Sequence, residues 1–324
     1  MIEEAVKIDC HVHWVGDGSD GSGCWLRRNT FLDHILEPLI KRQAGVFESS
    51  RLLGLDKAYK SKLLELVEGS RLDKLVLLAM DYPYDEEGKI LKDRAKFYVP
   101  NQLVLELSNS NPQFIPACSI HPARKDAIDE LEKCHLQGAK VLKLLPNYHN
   151  VNCSDSSYSK FWKKVASLGL LFLSHTGGEL SVPIINAKYA DPRVLHLPLE
   201  LGVQVIAAHG AGRSALFDQD YTSDLLKMLN KYPNLFIDNS ALASINRWPT
   251  IKHLLSPSVQ KRVVHGSDFP IPSSGLGPFL GRLLSLSELL KSRKIKNSLE
   301  RDCYIKQCVG FNESTFTRLS CLIS

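Results

Sequence analysis

Eight short apolar runs recur along this chain, and each is closed by polar or ionisable side chains. The runs are Val6–Cys10, Leu75–Met80, Phe114–Ile120, Ala139–Leu145, Leu170–Ser174, Val203–Ala208, Leu235–Ile237 and Arg262–His265. Rich in Val, Ile, Leu and Phe, they lack strict polar alternation, which suits parallel strands covered on both faces. Between them, Lys125–Cys134, Ser157–Leu168 and Thr222–Leu229 carry apolar residues at helical spacing. Strand and helix alternating in this way predict an α/β chain, a single (β/α)8 TIM barrel over residues 1–324. A chain of this size buries enough surface to need no disulfide or metal staple.

Such a barrel delivers its chemistry at the C-terminal ends of its strands. In order, the runs end in His11 and His13, Asp81 and His121, the fourth contains Lys143 near its end, and the rest end in His175, His209, Asn239 with Ser240, and Asp268. His11 and His13 are two apart, so on a strand both point to one face, about 6–7 Å apart at the backbone. Two imidazoles so placed can meet one metal ion, whose bonds to nitrogen are about 2.0–2.1 Å long. Alone, the pair is equally consistent with two ordinary histidines. A further histidine and a carboxylate from distant strand ends make the metal reading the stronger one.

The long gap between the first two runs, residues 16–71, opens with a Gly/Ser/Asp loop and contains helix-like segments at Phe31–Lys41 and Tyr59–Leu66. It reads as a helical insertion over the barrel mouth, where loop length is free and substrate is selected. The net charge of +5 is dispersed apart from Lys291, Arg293, Lys294 and Lys296, which argues against a nucleic-acid surface. No apolar stretch approaches the roughly 20 residues of a membrane span. Met1–Ile8 has neither a basic lead nor a long apolar run, so no secretory signal is expected. Eight cysteines without CxxC spacing suggest reduced, mostly buried thiols in a cytoplasmic protein. Oligomeric state is not legible, although the outer helices of a barrel commonly support a homodimer.

Six segments carry a family resemblance: Ile8-Asp9-Cys10-His11-Val12-His13, Ser119-Ile120-His121-Pro122, the stretch from Gly138 to Pro146, Ser174-His175-Thr176-Gly177, Ala208-His209-Gly210, and Gly266-Ser267-Asp268-Phe269-Pro270. In this order they resemble the amidohydrolase superfamily, in the branch that includes aminocarboxymuconate-semialdehyde decarboxylase. The resemblance implies that His11, His13, His175 and Asp268 hold one divalent ion, usually zinc, with manganese or iron also compatible with the donors. It places His209 beside the ligands, facing substrate, and His121 near the pocket. Lys143 is either carbamylated and bridging a second metal or, as the single-metal branch favours, unmodified and paired with an acid. Leu145 stands where many relatives have histidine, which loosens the transfer of substrate contacts there.

The expected activity is hydrolysis of a small-molecule ester, lactone or amide. Asp268 would move the proton, His209 would polarise the carbonyl, and Lys143 or Arg213 would hold an anionic group. Metal-dependent decarboxylation of a small acid is the alternative, and a barrel that only binds is the third reading. Glu179 reads as a helix cap, while Trp14, His265, Cys303 and Cys308 read as packing residues.

Overall fold

The computed structural model describes residues 5–27, 37–38, 40–42 and 44–323. Eight parallel strands form one sheet: β1 (Ile8–His13), β2 (Lys74–Leu78), β3 (Phe114–Cys118), β4 (Val141–Leu144), β5 (Leu171–Ser174), β6 (Val205–Ala207), β7 (Leu235–Asp238) and β8 (Val263–Val264). Each pairs with the next in chain order. The sheet closes on itself where Cys10 N–H donates to the His265 carbonyl and Asp268 N–H to that of His11, both at 2.9 Å. The expected (β/α)8 barrel is what forms.

Alternate residues divide between two environments. Ile8, Val76, Leu78, Ala117, Val141, Leu171, Leu173 and Ile206 fill the barrel interior. Leu142, Phe172, Val205, Leu235, Ile237 and Val263 face outward and pack with the helices. Those helices are α1 (Leu55–Glu68), α2 (Asn101–Ser110), α3 (Ala127–Leu136), α4 (Ser159–Ser167), α5 (His196–Glu200), α6 (Thr222–Lys231), α7 (Ile251–Leu254), α8 (Ser298–Cys308) and α9 (Glu313–Leu322). Leu319 of α9 joins the interior cluster, with Leu322 and Ile323 packed against it. Because Thr315 also accepts from His265 N–H, α9 seals the N-terminal end, and the opposite rim is left for the site.

Residues 16–71, expected as an insertion over the barrel mouth, end in a helix that packs on the barrel. Leu55, Ala58, Tyr59, Leu63 and Leu66 of α1 pack in one cluster with the strand residues Leu75 and Leu77 and with Leu299 of α8. α1 is therefore the barrel's own first helix, and only the part before it is additional. Trp25–Leu26, from that part, pairs antiparallel with Phe97–Tyr98. The expected helix Phe31–Lys41 lies largely outside the described residues. Among the described residues no helix is long and apolar enough to cross a membrane. Among the described residues, which include all eight cysteines, no disulfide forms, and six of the thiols are buried.

Beneath the seam lies a buried ion pair. Lys306 of α8 bonds Asp302 and the Gly266 carbonyl, and Asp302 also accepts from Ser273 Oγ at 2.6 Å. Breaking a buried pair strands the remaining charge, at a cost of about 3–5 kcal/mol. Lys306→Met should lose that much stability in urea denaturation; replacing Asp302 together with Lys306 by apolar residues should recover part of it.

Candidate metal centre

β1 does not enter the site as a regular strand. Its register against β2 slips between Asp9 and Val12, and such an irregularity lets neighbouring side chains share a face. Cys10 therefore packs in the interior with Leu78 and Leu173, while His11 faces inward as well. The two meet one carboxylate, with His11 Nδ1 at 2.8 Å and Cys10 Sγ at 3.9 Å from Asp238 Oδ2. Across the seam, Asp268 adopts a left-handed backbone at φ 64°, uncommon for a residue with a side chain. Its carboxylate Oδ1 stands 3.3 Å from His11 Nε2 and 3.3 Å from His13 Nε2.

His175, just past β5, completes the group differently. Its ring is buried, Nδ1 faces Glu179 Oε2 at 3.5 Å, and Nε2 has no hydrogen-bond partner. An orphaned buried nitrogen costs about 1–3 kcal/mol, so its presence calls for a ligand. With Nδ1 turned to a carboxylate, Nε2 carries the lone pair, the form in which imidazole binds metals. The ring lies 5.0 Å from that of His209, which is 5.2 Å from that of His11.

Among the described residues two groups bring three donors within 4.8 Å of one another: His11, His13 and Asp268, and His11, His209 and Asp238. The second is saturated from within. Asp238 accepts from His11 Nδ1–H, His209 N–H at 2.8 Å, Ser240 N–H at 3.0 Å and the Ser240 hydroxyl. It works as an anchor that aims His11 Nε2 at the first group. Imidazoles, one carboxylate and the orphaned His175 Nε2 fit a divalent transition ion.

The bond network also fixes the tautomer of His209. Nδ1 is 3.2 Å from the Ser240 carbonyl, an acceptor only, and 2.8 Å from Ser240 Oγ, whose proton goes to Asp238. Nδ1 is therefore protonated and Nε2 bare. Burial and the nearby Arg247 and His175 hold the ring well below the usual histidine pKa, so it is neutral. A neutral ring with bare Nε2 cannot donate to a substrate carbonyl, which corrects the expected polarising role.

Burial pulls the Lys143 ammonium down to about 8, against Asp238 and Asp268. Its Nζ sits 3.1 Å from His11 Nε2, and among the described residues no acid pairs with it. Burial opposes the Asp268 charge, yet His11, His13 and Lys143 outweigh it and keep the carboxylate ionised far below its ordinary pKa.

Other expected residues fall elsewhere. His121 is buried with both ring nitrogens taken, Nε2 by the His149 carbonyl at 2.9 Å and Nδ1 by Ala123 N–H at 3.1 Å. It has no nitrogen left for substrate. Asp81 accepts from His121 N–H and Arg124 in the same structural network. Arg213 is exposed and lies 3.8 Å from Asp220, apart from the cluster; besides Lys143, a second buried cation, Arg247, lies on the histidine side and went unnoticed in the sequence. Glu179 caps no helix, since none follows it before Ala187. His265 does pack, against Phe316 and Cys303.

The chain matches the model of a family described as amidohydrolase over residues 8–299. No curated protein sequence matches it. Among solved structures it is similar to an uncharacterised TIM-barrel protein of Bordetella bronchiseptica, with TM-score 0.61, 16% identity, and 98% and 99% of the two chains covered. A probable 2-pyrone-4,6-dicarboxylic acid hydrolase of Acinetobacter baumannii with citric acid bound gives 0.57 at 15% identity, covering 96% and 99%. The apo form of the Metarhizium anisopliae IDCase gives 0.53 at 10% identity, covering 98% of each. At these identities the likeness shows the fold.

Two predictions follow from the electrostatics. Asp238→Asn should weaken zinc binding about 10- to 100-fold, the usual consequence of losing a ligand's supporting carboxylate, as read by competition with a chromogenic chelator. Burial also lowers the pKa of His11, His121, His149, His175, His209 and His265, His175 to about 4 and His121 to about 3. Between the ordinary value of about 6.5 and these lowered values the unfolded chain binds protons the folded chain refuses. Their stability contribution is whole above that ordinary value and falls as pH drops toward about 4. Asp9, pushed up to about 7 by burial, and Asp81 and Asp302, also raised, oppose this, three groups against seven once His196, also lowered by burial, is included. The urea midpoint of chelator-treated protein should therefore be lower at about pH 4.5 than at about pH 7.

Proposed function

The chain belongs to the amidohydrolase family, and on that footing we propose that it is a metal-dependent hydrolase of small-molecule esters, lactones or amides. His11, His13, His175 and Asp268 hold one divalent ion, Zn2+ being the simplest choice, and the protein works in the cytoplasm. The observation that carries this reading is the approach of Asp268 Oδ1 to 3.3 Å from two imidazole nitrogens beside the unpartnered His175 Nε2.

When bound, a divalent cation supplies Lewis acidity and makes water nucleophilic near neutral pH. The chain's own groups do the rest. Asp268, ionised and at the rim of the cluster, accepts the proton of the attacking water and returns it to the leaving group. His209 offers its bare Nε2 as an acceptor, which orients an O–H or N–H of water or substrate. Asp238 and Glu179 hold His11 and His175 so that each presents Nε2. Lys143 stays unmodified, and its hydrogen bond to His11 Nε2 gives way when the cation is bound.

Metal analysis of purified protein should find about one equivalent, the stoichiometry of a single catalytic zinc site. Asp268→Asn should lower turnover about 10²- to 10⁴-fold, the range for a lost general base, with the circular dichroism spectrum unchanged. The assay is a panel of lactones, esters and amides. Full activity of Asp268→Asn removes this role, and carbon dioxide release from a carboxylic acid in place of hydrolysis assigns decarboxylation.

A further inference from the structure

Resting on that reading, we infer that Arg247 builds a carboxylate subsite beside the metal centre, so that the substrate is a monoanionic acid. Arg247 lies on the loop after β7 and its side chain is buried to 6% exposure. One end of the guanidinium, Nη2, donates to the Gly178 carbonyl. The other, Nη1, is buried and has no hydrogen-bond partner. A buried cationic donor left without an acceptor is among the costlier features a fold can carry, and each one in a native chain needs a reason.

Its neighbours explain what is missing. The bond to Gly178, next to Glu179 and just past His175 in the chain, places Arg247 on the histidine side of the site, where its charge also acts on His209 and Asp218. Neither acid answers it directly. Glu179 is committed to His175 and to Ser181 N–H and Oγ. Asp218 Oδ2 accepts from Ser214 N–H, Ser214 Oγ and Ala215 N–H. Among the described residues Arg247 forms no ion pair.

The loop holds the guanidinium still. Asn246 Nδ2 donates to the Ser214 carbonyl at 2.8 Å, and Ser244 Oγ to Asn246 Oδ1 at 2.7 Å. A Cβ on Gly277 would sit 2.4 Å from the Ser244 carbonyl and 2.6 Å from Trp248, so the short helix Leu276–Leu280 after β8 is pressed against the residues flanking Arg247. A donor fixed before binding loses little entropy when it is filled. The planar guanidinium suits a carboxylate. With Glu179 and Asp218 close by, a dianion such as phosphate is repelled by the two carboxylates about twice as strongly as a monoanion.

Calorimetric titration of the metal-loaded protein with benzoate, benzamide and phenyl phosphate tests this, and needs no turnover. Benzoate should bind at least about tenfold tighter than either analogue, the scale of a charge-assisted hydrogen bond. Arg247→Met should lose that preference, and Arg247→Lys, which keeps the charge, should recover part of it. Thermal melts report whether each variant is folded, and a folded Arg247→Lys stands in if Arg247→Met is not. Equal binding of benzoate and benzamide, a preference for phenyl phosphate, or a benzoate affinity indifferent to Arg247 would overturn the subsite. In that last case the carboxylate sits on the metal, and the hydrolase reading survives. If the protein holds no metal yet benzoate binding depends on Arg247, the reverse is true.

Discussion

One backbone hydrogen bond sets the terms for the site: the amide of Asp268 to the carbonyl of His11, at 2.9 Å. It joins the first strand to the end of the last, and it is the final stitch of a closed sheet. Closure matters because an open parallel sheet would leave β1 and β8 as separate edges, with His11 and Asp268 at opposite ends of the molecule. The bond brings them together at the residue where Asp268 turns left-handed, and the carboxylate folds back over two imidazoles. The buried Lys306, bonded to the Gly266 carbonyl, secures the same turn from the side away from the imidazoles.

That seam also explains which residues were legible. His11, His13, His175 and Asp268 announce themselves because a polar residue at the end of an apolar run has one place to go in a barrel. Asp238 hid in the same logic. The run was read as ending at Ile237, and the polar residues beyond it drew attention. Yet the strand extends one residue further, and with Leu235 and Ile237 outward, Asp238 must face inward with Phe236. Strict period-two counting from Ile237 would have found it. The slip between Asp9 and Val12 had no such signal, because it arises from how β1 packs on β2.

Other misreadings share a cause, which is that a side chain's hydrogen bonds depend on tertiary neighbours. His121 has the sequence context of a pocket residue, but the His149 carbonyl and the Ala123 amide use up its ring. Arg213 follows His209 closely and still ends exposed near Asp220; Arg247, far along the chain, is folded inward. α1 was hidden in a long gap because nothing local separates a barrel helix from an inserted one. Only its burial against Leu75, Leu77 and Leu299 does.

Charge balance ties the parts together. Asp238, Asp268 and Glu179 place three carboxylates in the pocket, against which stand Arg247 and Lys143, the latter weakened as a cation by burial. Arg247 and Lys143 alone leave the pocket net negative, which favours a divalent cation. The single lone pair of His11 Nε2 accepts from Lys143 at 3.1 Å and cannot serve a cation at the same moment. Cation binding and this hydrogen bond exclude each other, so Lys143 must yield as the site fills, and a buried ammonium that has lost its acceptor adds to the pull on an incoming anion.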